Sequence, residues 1–263
     1  MAANNPLLIV RQGAVMSLVI NDPPWNRMSF DYMDALEAAV EESTTDPTVR
    51  VLVFTADGNA NFSVGMDLKQ MMHMGEARGG WEAVLEQRLR VLARIESLDK
   101  PSIATLFGHC LGGGLELPLA CHFRLAADTG AQIGLPEMEL GTVPAWGGTA
   151  RLTRCVGRDH ALDMVLRARK IDGREALRIG LVHSIHPLGE LKAAALDLAH
   201  ELAEKPPLAV AGALSCIVGA GEKSLTEALA EERRAFLCCA ASQDQAEGMR
   251  AFMEKRKPVF TGS

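Results

Sequence analysis

The chain has 263 residues, of which 48% are hydrophobic, so it is long enough for one large domain or for one domain with an appendage. Its formal net charge of −6 at pH 7 argues against a broad surface for nucleic acids or for a membrane. No apolar run approaches the roughly 20 residues that a transmembrane helix needs, and the N-terminus lacks the pattern of a secretory signal.

The cysteines do not follow a pattern typical of a disulfide framework or a zinc site. Six are present at irregular spacing without any C-x-x-C, and Cys238 and Cys239 are adjacent. Reduced thiols are the rule in the cytosol. We therefore expect a cytoplasmic protein with no metal site.

The first part of the chain alternates predicted strands and helices. Hydrophobic patterns predict strands over residues 7–10 and 14–20, joined as a hairpin at Gln12-Gly13. A helix capped by Ser29 follows, and then a buried strand over residues 49–55. A second amphipathic helix, ended by Pro101, is indicated by apolar residues at helical spacing: Leu85, Leu89, Leu92 and Ile95.

Two glycine-containing stretches each precede a predicted helix. The first, FSVGMDL at residues 62–68, leads into a methionine-rich run made of Met66, Met71, Met72 and Met74. Because methionine is unbranched and adaptable, this run fits either core filling or a deformable wall for a substrate chain.

The second stretch, GHCLGGGLEL at residues 108–117, follows a predicted strand over residues 102–107 and carries Glu116 in the first turn of a helix. Bare backbone N–H groups at a helix start can hold a phosphate or a developing oxyanion. The nearby carboxylate disfavours a phosphate and favours a carbonyl that becomes an enolate beside a proton-transferring group. Close packing of a glycine turn against a neighbour is the alternative interpretation.

The rest of the chain changes character near residue 198. Before it we expect strands over 122–127 and 181–186, an extended piece over 131–134, and helices over 149–156, 159–167 and 174–179. After residue 188 the pattern is helical, over 189–203, 207–218, 225–240 and 243–255, with an S-x-x-E capping box at Ser224. We predict an α/β core over 1–198 that holds the active site and a helical oligomerisation region over 199–263.

Four segments in this order resemble the crotonase superfamily, the enoyl-CoA hydratase/isomerase family: FSVGMDL, GHCLGGGLEL, AQIGLPEMELGTVPAWGGTARL and FMEKRKPVF. The resemblance extends from the first hairpin to the last helix. It implies an α/β fold, a crotonase-like spiral of β-β-α units with an α-helical C-terminal trimerisation region. The family commonly assembles as a homotrimer or a dimer of trimers.

The resemblance also implies a catalytic site. The backbone N–H groups of Met66 and Gly113 would form an oxyanion hole for the thioester oxygen. Glu116 and Glu137 match the catalytic pair of the hydratase branch. In that branch Glu137 would give the proton to the α-carbon, and Glu116 would orient and deprotonate the water that attacks the β-carbon. Two acids in one desolvated pocket have their pKa values pushed apart, which suits opposite roles.

The resemblance further implies contacts with coenzyme A (CoA) and the acyl chain. The loop of the first motif would bind the adenine end, and two residues on the last helix would reach the CoA of a neighbouring subunit. Asp67 fits either a helix-start or an adenine-side role. The predicted contacts are Arg27, Ser63, Gly65, Asp67, Leu68, Lys69, Gly112, Ala145, Trp146, Phe252 and Lys255.

One position departs from the hydratase pattern, which usually has glycine after GTVP. This chain has Ala145 followed by Trp146. The added methyl and indole groups are expected to reshape the acyl pocket, so the sequence leaves the length and branching of the acyl chain open.

The leading functional hypothesis is an enoyl-CoA hydratase that needs no cofactor beyond the CoA of its acyl-CoA thioester substrate. The alternatives are a Δ3,Δ2-enoyl-CoA isomerase, another crotonase-type lyase or decarboxylase, and a non-catalytic CoA- or RNA-binding protein. His73, His109 and His122 have no ordered partner in the sequence, so we interpret them as structural.

Overall fold

The computed structural model describes residues 5–71 and 78–263. Met72, His73 and Met74 of the sequence analysis lie outside the described residues. The strands are β1 (Leu7–Gln12), β2 (Val15–Ile20), β3 (Val51–Ala56), β4 (Ser102–Leu106), β5 (His109–Leu111), β6 (Phe123–Ala127), β7 (Gln132–Gly134) and β8 (Ser184–His186). The helices are α1 (Phe30–Thr45), α2 (Leu68–Met71), α3 (Gly80–Glu96), α4 (Gly113–Ala120), α5 (Gly148–Val156), α6 (Arg158–Leu166), α7 (Gly173–Arg178), α8 (Leu188–Ala203), α9 (Pro207–Gly219), α10 (Leu225–Ala240) and α11 (Gln243–Glu254). Short 3-10 turns lie at Glu137–Leu140 and Ala220–Glu222.

A six-stranded mixed sheet forms the centre of the fold, in the order β1-β2-β3-β4-β6-β8. The predicted hairpin is confirmed, because β1 pairs antiparallel with β2 and every later neighbour pairs parallel. All six residues of β3 are buried, as a parallel strand covered on both faces requires. The predicted α/β class is confirmed. The short strands β5 and β7 pair parallel in a second sheet, which carries the glycine turn of the second motif.

Predicted caps set the start of two helices. The Ser29 hydroxyl accepts a hydrogen bond from the backbone N–H of Tyr32 at the start of α1. Ser224 and Glu227 form the predicted capping box of α10. Both contacts satisfy backbone donors that a helix start leaves open.

Helix α8 packs across the sheet through Leu191, Ala195 and Ala199, which are fully buried. The predicted boundary near residue 198 lies within this helix, and the division of the chain there stays a prediction. Helices α9 to α11 follow and pack mainly on one another. In α9 and α10, both fully described, no residue is buried.

The C-terminal helices expose large apolar side chains: Ile217, Leu225, Leu229, Phe236, Leu237, Met249, Phe252 and Met253. Exposed apolar side chains in this number are typical of an interaction site. Among the described residues, no single helix has the length and apolar composition to cross a membrane, and the pair 188–203 and 207–222 reaches them only jointly across a bend of 111°.

Candidate active site

The two glycine-containing stretches, residues 62–68 and 108–117, are hydrogen-bonded to each other. The N–H of Leu111 donates to the Ser63 carbonyl at 3.0 Å, and the N–H of Ser63 donates to the His109 carbonyl at 3.0 Å. A Cβ on Gly114 would overlap the carbonyl oxygen of Ser63. Glycine at this position therefore lets the two chain segments come into contact, so both turns lie side by side.

Gly65 has φ +87°, a conformation that favours glycine. A Cβ there would lie 2.7 Å from the Leu111 carbonyl oxygen and 3.2 Å from the Gly113 nitrogen. Met66 follows directly and forms a parallel bridge with Met28. The backbone of Met66 and that of Gly113 are thus neighbours, as the oxyanion-hole prediction requires.

Most predicted site residues line one cavity of about 160 Å³. Apolar walls come from Leu85 and Trp81 of α3 and from Val143. The predicted residues at this cavity are Gly65, Met66, Leu68, Gly112, Gly113, Glu116, Glu137, Ala145 and Trp146. The structure therefore brings both predicted amide donors and both predicted acids to the same space.

Glu116 lies in the first turn of α4 and is only 2% exposed. Its Oε1 accepts hydrogen bonds from the backbone N–H groups of Trp146 at 2.7 Å and Gly148 at 2.9 Å. Burial raises the pKa of Glu116 to about 7, the charge of Glu137 adds to the rise, and the two N–H groups oppose it. Because those N–H groups favour the ionised form, we assign the carboxylate of the pair to Glu116.

Glu137 begins the 3-10 turn after Pro136, and burial raises the pKa of its carboxyl group. Its Oε2 is buried and has no hydrogen-bond partner among residues 5–71 and 78–263. An oxygen without a donor favours the neutral acid. A Cβ on Gly112 would lie 2.8 Å from Glu137 Oε1, so glycine there leaves room for this side chain. The two side chains therefore differ in hydrogen bonding, which suits one carboxylate and one neutral acid.

Trp146 shapes the cavity beside Gly113. The indole is 5% exposed, and a Cβ on Gly113 would overlap its ring. Ala145 lines the same cavity. The two residues that depart from the hydratase pattern therefore line the same cavity as Glu116 and Glu137, and their effect on the acyl chain stays a prediction.

Three of the predicted CoA-contacting residues have polar side chains that bind other groups of the protein. Ser63 is fully buried and its hydroxyl accepts from the N–H of Gly65 at 3.0 Å, so its side chain stabilises the first turn and does not reach the cavity. The Asp67 carboxylate accepts from the Lys69 N–H at 3.0 Å, which is a helix-start contact. Arg27 holds Asp22 through Nε at 2.6 Å and Nη2 at 3.0 Å.

Leu68 and Lys69 are exposed at the start of α2. Phe252 is 83% exposed on α11, and Lys255 ends that helix in a left-handed conformation with φ 55°. Neither Phe252 nor Lys255 lines the cavity, and their contact with the CoA of a neighbouring subunit stays a prediction.

His122 has the structural role that the sequence predicts. Its Nδ1 accepts from the backbone N–H of Ser102 at 3.1 Å, its Nε2 lies 3.3 Å from the Glu96 carbonyl, and burial lowers its pKa. His109 stacks on Trp25, and its Nδ1 is buried without a partner in the part of the chain that is described.

Arg151 supports the site and was not identified from the sequence. Its Nε donates to Glu96 Oε2 at 2.9 Å, and its Nη1 donates to the Trp146 carbonyl at 2.9 Å. It therefore fixes the loop whose N–H groups bind Glu116, and its charge lowers the pKa of that glutamate. The sequence signal is a cation in the first turn of α5, where the helix dipole disfavours positive charge.

We expect Arg151→Gln to lower kcat about tenfold near neutral pH with little change in KM, since the loop loosens and the pKa of Glu116 rises. The acid limb of the pH–rate profile should move to higher pH. Arg151→Lys keeps the charge and should move the limb less. Arg154→Gln on the same helix, where an exposed ion pair with Glu222 is lost, is the control and should change neither. A slower Arg151→Gln enzyme with an unmoved acid limb would contradict the electrostatic role.

The chain is similar in sequence and in fold to known proteins. The family model described as enoyl-CoA hydratase/isomerase matches residues 10–263. A probable enoyl-CoA hydratase of Bacillus subtilis is 38% identical over 94% of this chain and 95% of its own length. A 2,3-dehydroadipyl-CoA hydratase of Escherichia coli is 36% identical over 97% of this chain and 98% of its own length. The crystal structure of an enoyl-CoA hydratase from Bacillus anthracis superposes with a TM-score of 0.93 at 31% identity, covering 98% of this chain and 100% of that one.

Proposed function

Because the chain belongs to the enoyl-CoA hydratase/isomerase family, we propose that it is an enoyl-CoA hydratase, which adds water across the double bond of a 2-enoyl-CoA. The observation that carries this proposal is the position of Glu116 and Glu137 on one cavity with the backbone of Met66 and Gly113. The names of the relatives differ in the acyl group, so they leave the acyl class open.

In the proposed mechanism the thioester oxygen accepts hydrogen bonds from the N–H groups of Met66 and Gly113. Negative charge develops on this oxygen as the β-carbon is attacked. Fixed amide donors in a water-poor site stabilise the enolate more than the ground-state carbonyl, and each such donor contributes about 3–4 kcal/mol in comparable sites.

The two glutamates move the protons. Oε1 of Glu116 is held by two N–H groups, so Oε2 is the oxygen that can bind the attacking water. Water gives a proton to Glu116 and its hydroxyl to the β-carbon, while Glu137 gives its proton to the α-carbon. One proton enters the pair as one leaves, so the charge of the pair is unchanged. This balance supports one ionised and one neutral glutamate.

The substrate brings CoA, and we propose no separate cofactor. The exposed apolar faces of α9 to α11 support a homotrimer or a dimer of trimers, in which Phe252 and Lys255 would face the CoA of a neighbour. The cysteines are free thiols, which supports a cytoplasmic location.

The test measures the decrease in the absorbance of the conjugated enoyl thioester after the enzyme is added to a 2-enoyl-CoA. Wild type should consume it, and Glu137→Gln should lower kcat by about 10²–10⁴-fold, since it removes a positioned proton donor. Glu139→Gln is the matched control, because Glu139 lies two residues away and pairs at the surface with Lys170. Equal loss in both variants would contradict the assigned role of Glu137. An isomerase would instead convert a 3-enoyl-CoA at a near-normal rate in Glu116→Ala.

A further inference from the structure

Helix α3 carries a buried arginine, Arg88, which follows in sequence the two residues of this helix that line the cavity of Glu116 and Glu137. Trp81 and Leu85 of this helix line the cavity, and Arg88 follows Leu85 by one turn on the same face. Arg88 is 1% exposed although it carries a guanidinium group. It lies among the apolar residues that predict this helix, Leu85, Leu89, Leu92 and Ile95, of which Leu89 is exposed.

The guanidinium of Arg88 lies near two aromatic rings. Its Cζ lies 5.2 Å from the ring centroid of Phe30 and 5.6 Å from that of Trp146. Nη1 donates to Gln87 Oε1 at 2.8 Å and to the Val84 carbonyl at 3.3 Å. These contacts fix the plane of the group and use one of its three nitrogens.

The other two nitrogens, Nε and Nη2, are buried and have no hydrogen-bond partner in the described ranges 5–71 and 78–263. They form the side-on edge of the guanidinium, which binds a carboxylate through two parallel hydrogen bonds. Arg27 and Arg178 use this same edge to hold Asp22 and Glu175. In Arg88 no described residue occupies this edge.

Among the residues that the structure describes, no carboxylate forms an ion pair with Arg88. Burial lowers its pKa to about 10, so the group stays protonated at neutral pH. Asp34 attracts it from a distance, but the Asp34 carboxylate binds Arg78 at 2.6 Å. A buried cation with no counter-charge among residues 5–71 and 78–263 is less stable than an apolar side chain at the same place, so its presence points to a ligand.

We propose that the acyl group of the substrate carries a second carboxylate, and that Arg88 binds it through Nε and Nη2. The inference rests on the proposed hydratase function and adds the class of the acyl chain. Met66 lines the cavity and packs on Phe30 and Val84, the two residues that Arg88 also contacts. Rotation of this unbranched side chain opens a path, which is the deformable wall that the methionine-rich run predicts.

The test compares enoyl-CoA pairs of matched length, with and without a terminal carboxylate, from pentenoyl to octenoyl; hex-2-enedioyl-CoA and hex-2-enoyl-CoA form one pair. Wild type should show at least about tenfold higher kcat/KM for the carboxylate member of the best pair. Arg88→Met should abolish that preference, because only the carboxylate member loses a contact. Arg88→Lys should fall between them, since it keeps the charge without the fork. Arg90→Met, on an exposed position of the same helix, is the control and should keep the preference.

A wild-type enzyme that hydrates the neutral members as well as the carboxylate members would overturn the inference and leave the hydratase proposal standing. Failure to hydrate any pair would instead contradict the hydratase proposal. If Arg88→Met does not fold, inhibition of wild type by the saturated CoA thioesters decides the question. The dicarboxylic thioester should then inhibit at a concentration at least about tenfold lower than its methyl-ended counterpart, and equal inhibition overturns the inference.

Discussion

Glutamine in place of Glu116 is expected to lower kcat for hydration about 10³-fold while KM changes little, because the water loses its base and the thioester contacts remain. The substitution keeps an oxygen for the N–H groups of Trp146 and Gly148, so the loop should hold its position. Initial rates at saturating 2-enoyl-CoA measure the effect. A kcat within a few-fold of wild type would exclude Glu116 as the base.

The same substitution should stabilise the folded protein above neutral pH. The pKa of Glu116 is raised from 4.5 to about 7 in the fold, so the stability that its protonated form contributes is present below about pH 4.5 and is lost as the pH rises to about 7. This difference between the pKa values of Glu116 in the unfolded and folded protein corresponds to at most about 3 kcal/mol of unfolding free energy. Glu116→Gln should therefore unfold at higher denaturant concentration than wild type near pH 8, and the advantage should shrink near pH 5.

A control variant separates this effect from general surface charge. Glu139→Gln also removes one negative charge close in sequence, but Glu139 is exposed and pairs with Lys170. We expect its unfolding midpoint to stay near that of wild type at both pH values. A Glu116→Gln protein that is less stable than wild type near pH 8 would show that the ionised carboxylate stabilises the site.

Alanine in place of Gly114 is expected to disrupt the site through the backbone. The new Cβ would overlap the Ser63 carbonyl oxygen, which belongs to a buried turn that cannot retreat as a flexible side chain would. We expect a loss of about 1–3 kcal/mol in unfolding free energy and a fall in kcat of at least about 100-fold, because the N–H groups of Met66 and Gly113 move apart. Denaturant unfolding and hydration rates measure the two effects.

Gly189→Ala is the matched control at another helix start. A Cβ on Gly189 would meet no described heavy atom within 4 Å. This variant should keep its kcat and stay within about 0.5 kcal/mol of wild-type stability. A Gly114→Ala enzyme with near-normal kcat would mean that the contact between the two glycine turns does not position the amide donors.

The sequence predicts the fold class and most helices because local patterns determine them. The resemblance to the enoyl-CoA hydratase/isomerase family is confirmed. Element ends depend on tertiary contacts. The strand predicted over 181–186 begins only at Ser184, since the N–H groups of Leu181 and Val182 donate to the Ala176 carbonyl. Helix α3 ends at Glu96, well before Pro101.

The sequence predicts some residues of the candidate site and misses others. Met66, Gly113 and Glu137 follow from the family resemblance, and Glu116 follows also from its place in the first helix turn after a glycine stretch. Ser63 is assigned differently by the structure, because its hydroxyl is used inside its own turn. Arg151 and Arg88 escaped the sequence analysis since their roles depend on distant partners. Glu96 lies 55 positions before Arg151, and Phe30 lies on another helix from Arg88.

The central claim is that two backbone amides stabilise an enolate while Glu137 moves the α-proton and Glu116 activates water. Exchange of the α-protons of saturated butyryl-CoA in heavy water, followed by nuclear magnetic resonance, tests it without water addition. Wild type and Glu116→Gln should both exchange these protons, and Glu137→Gln should exchange them at least about 100-fold more slowly. Unimpaired exchange in Glu137→Gln, or exchange lost only in Glu116→Gln, would contradict the account.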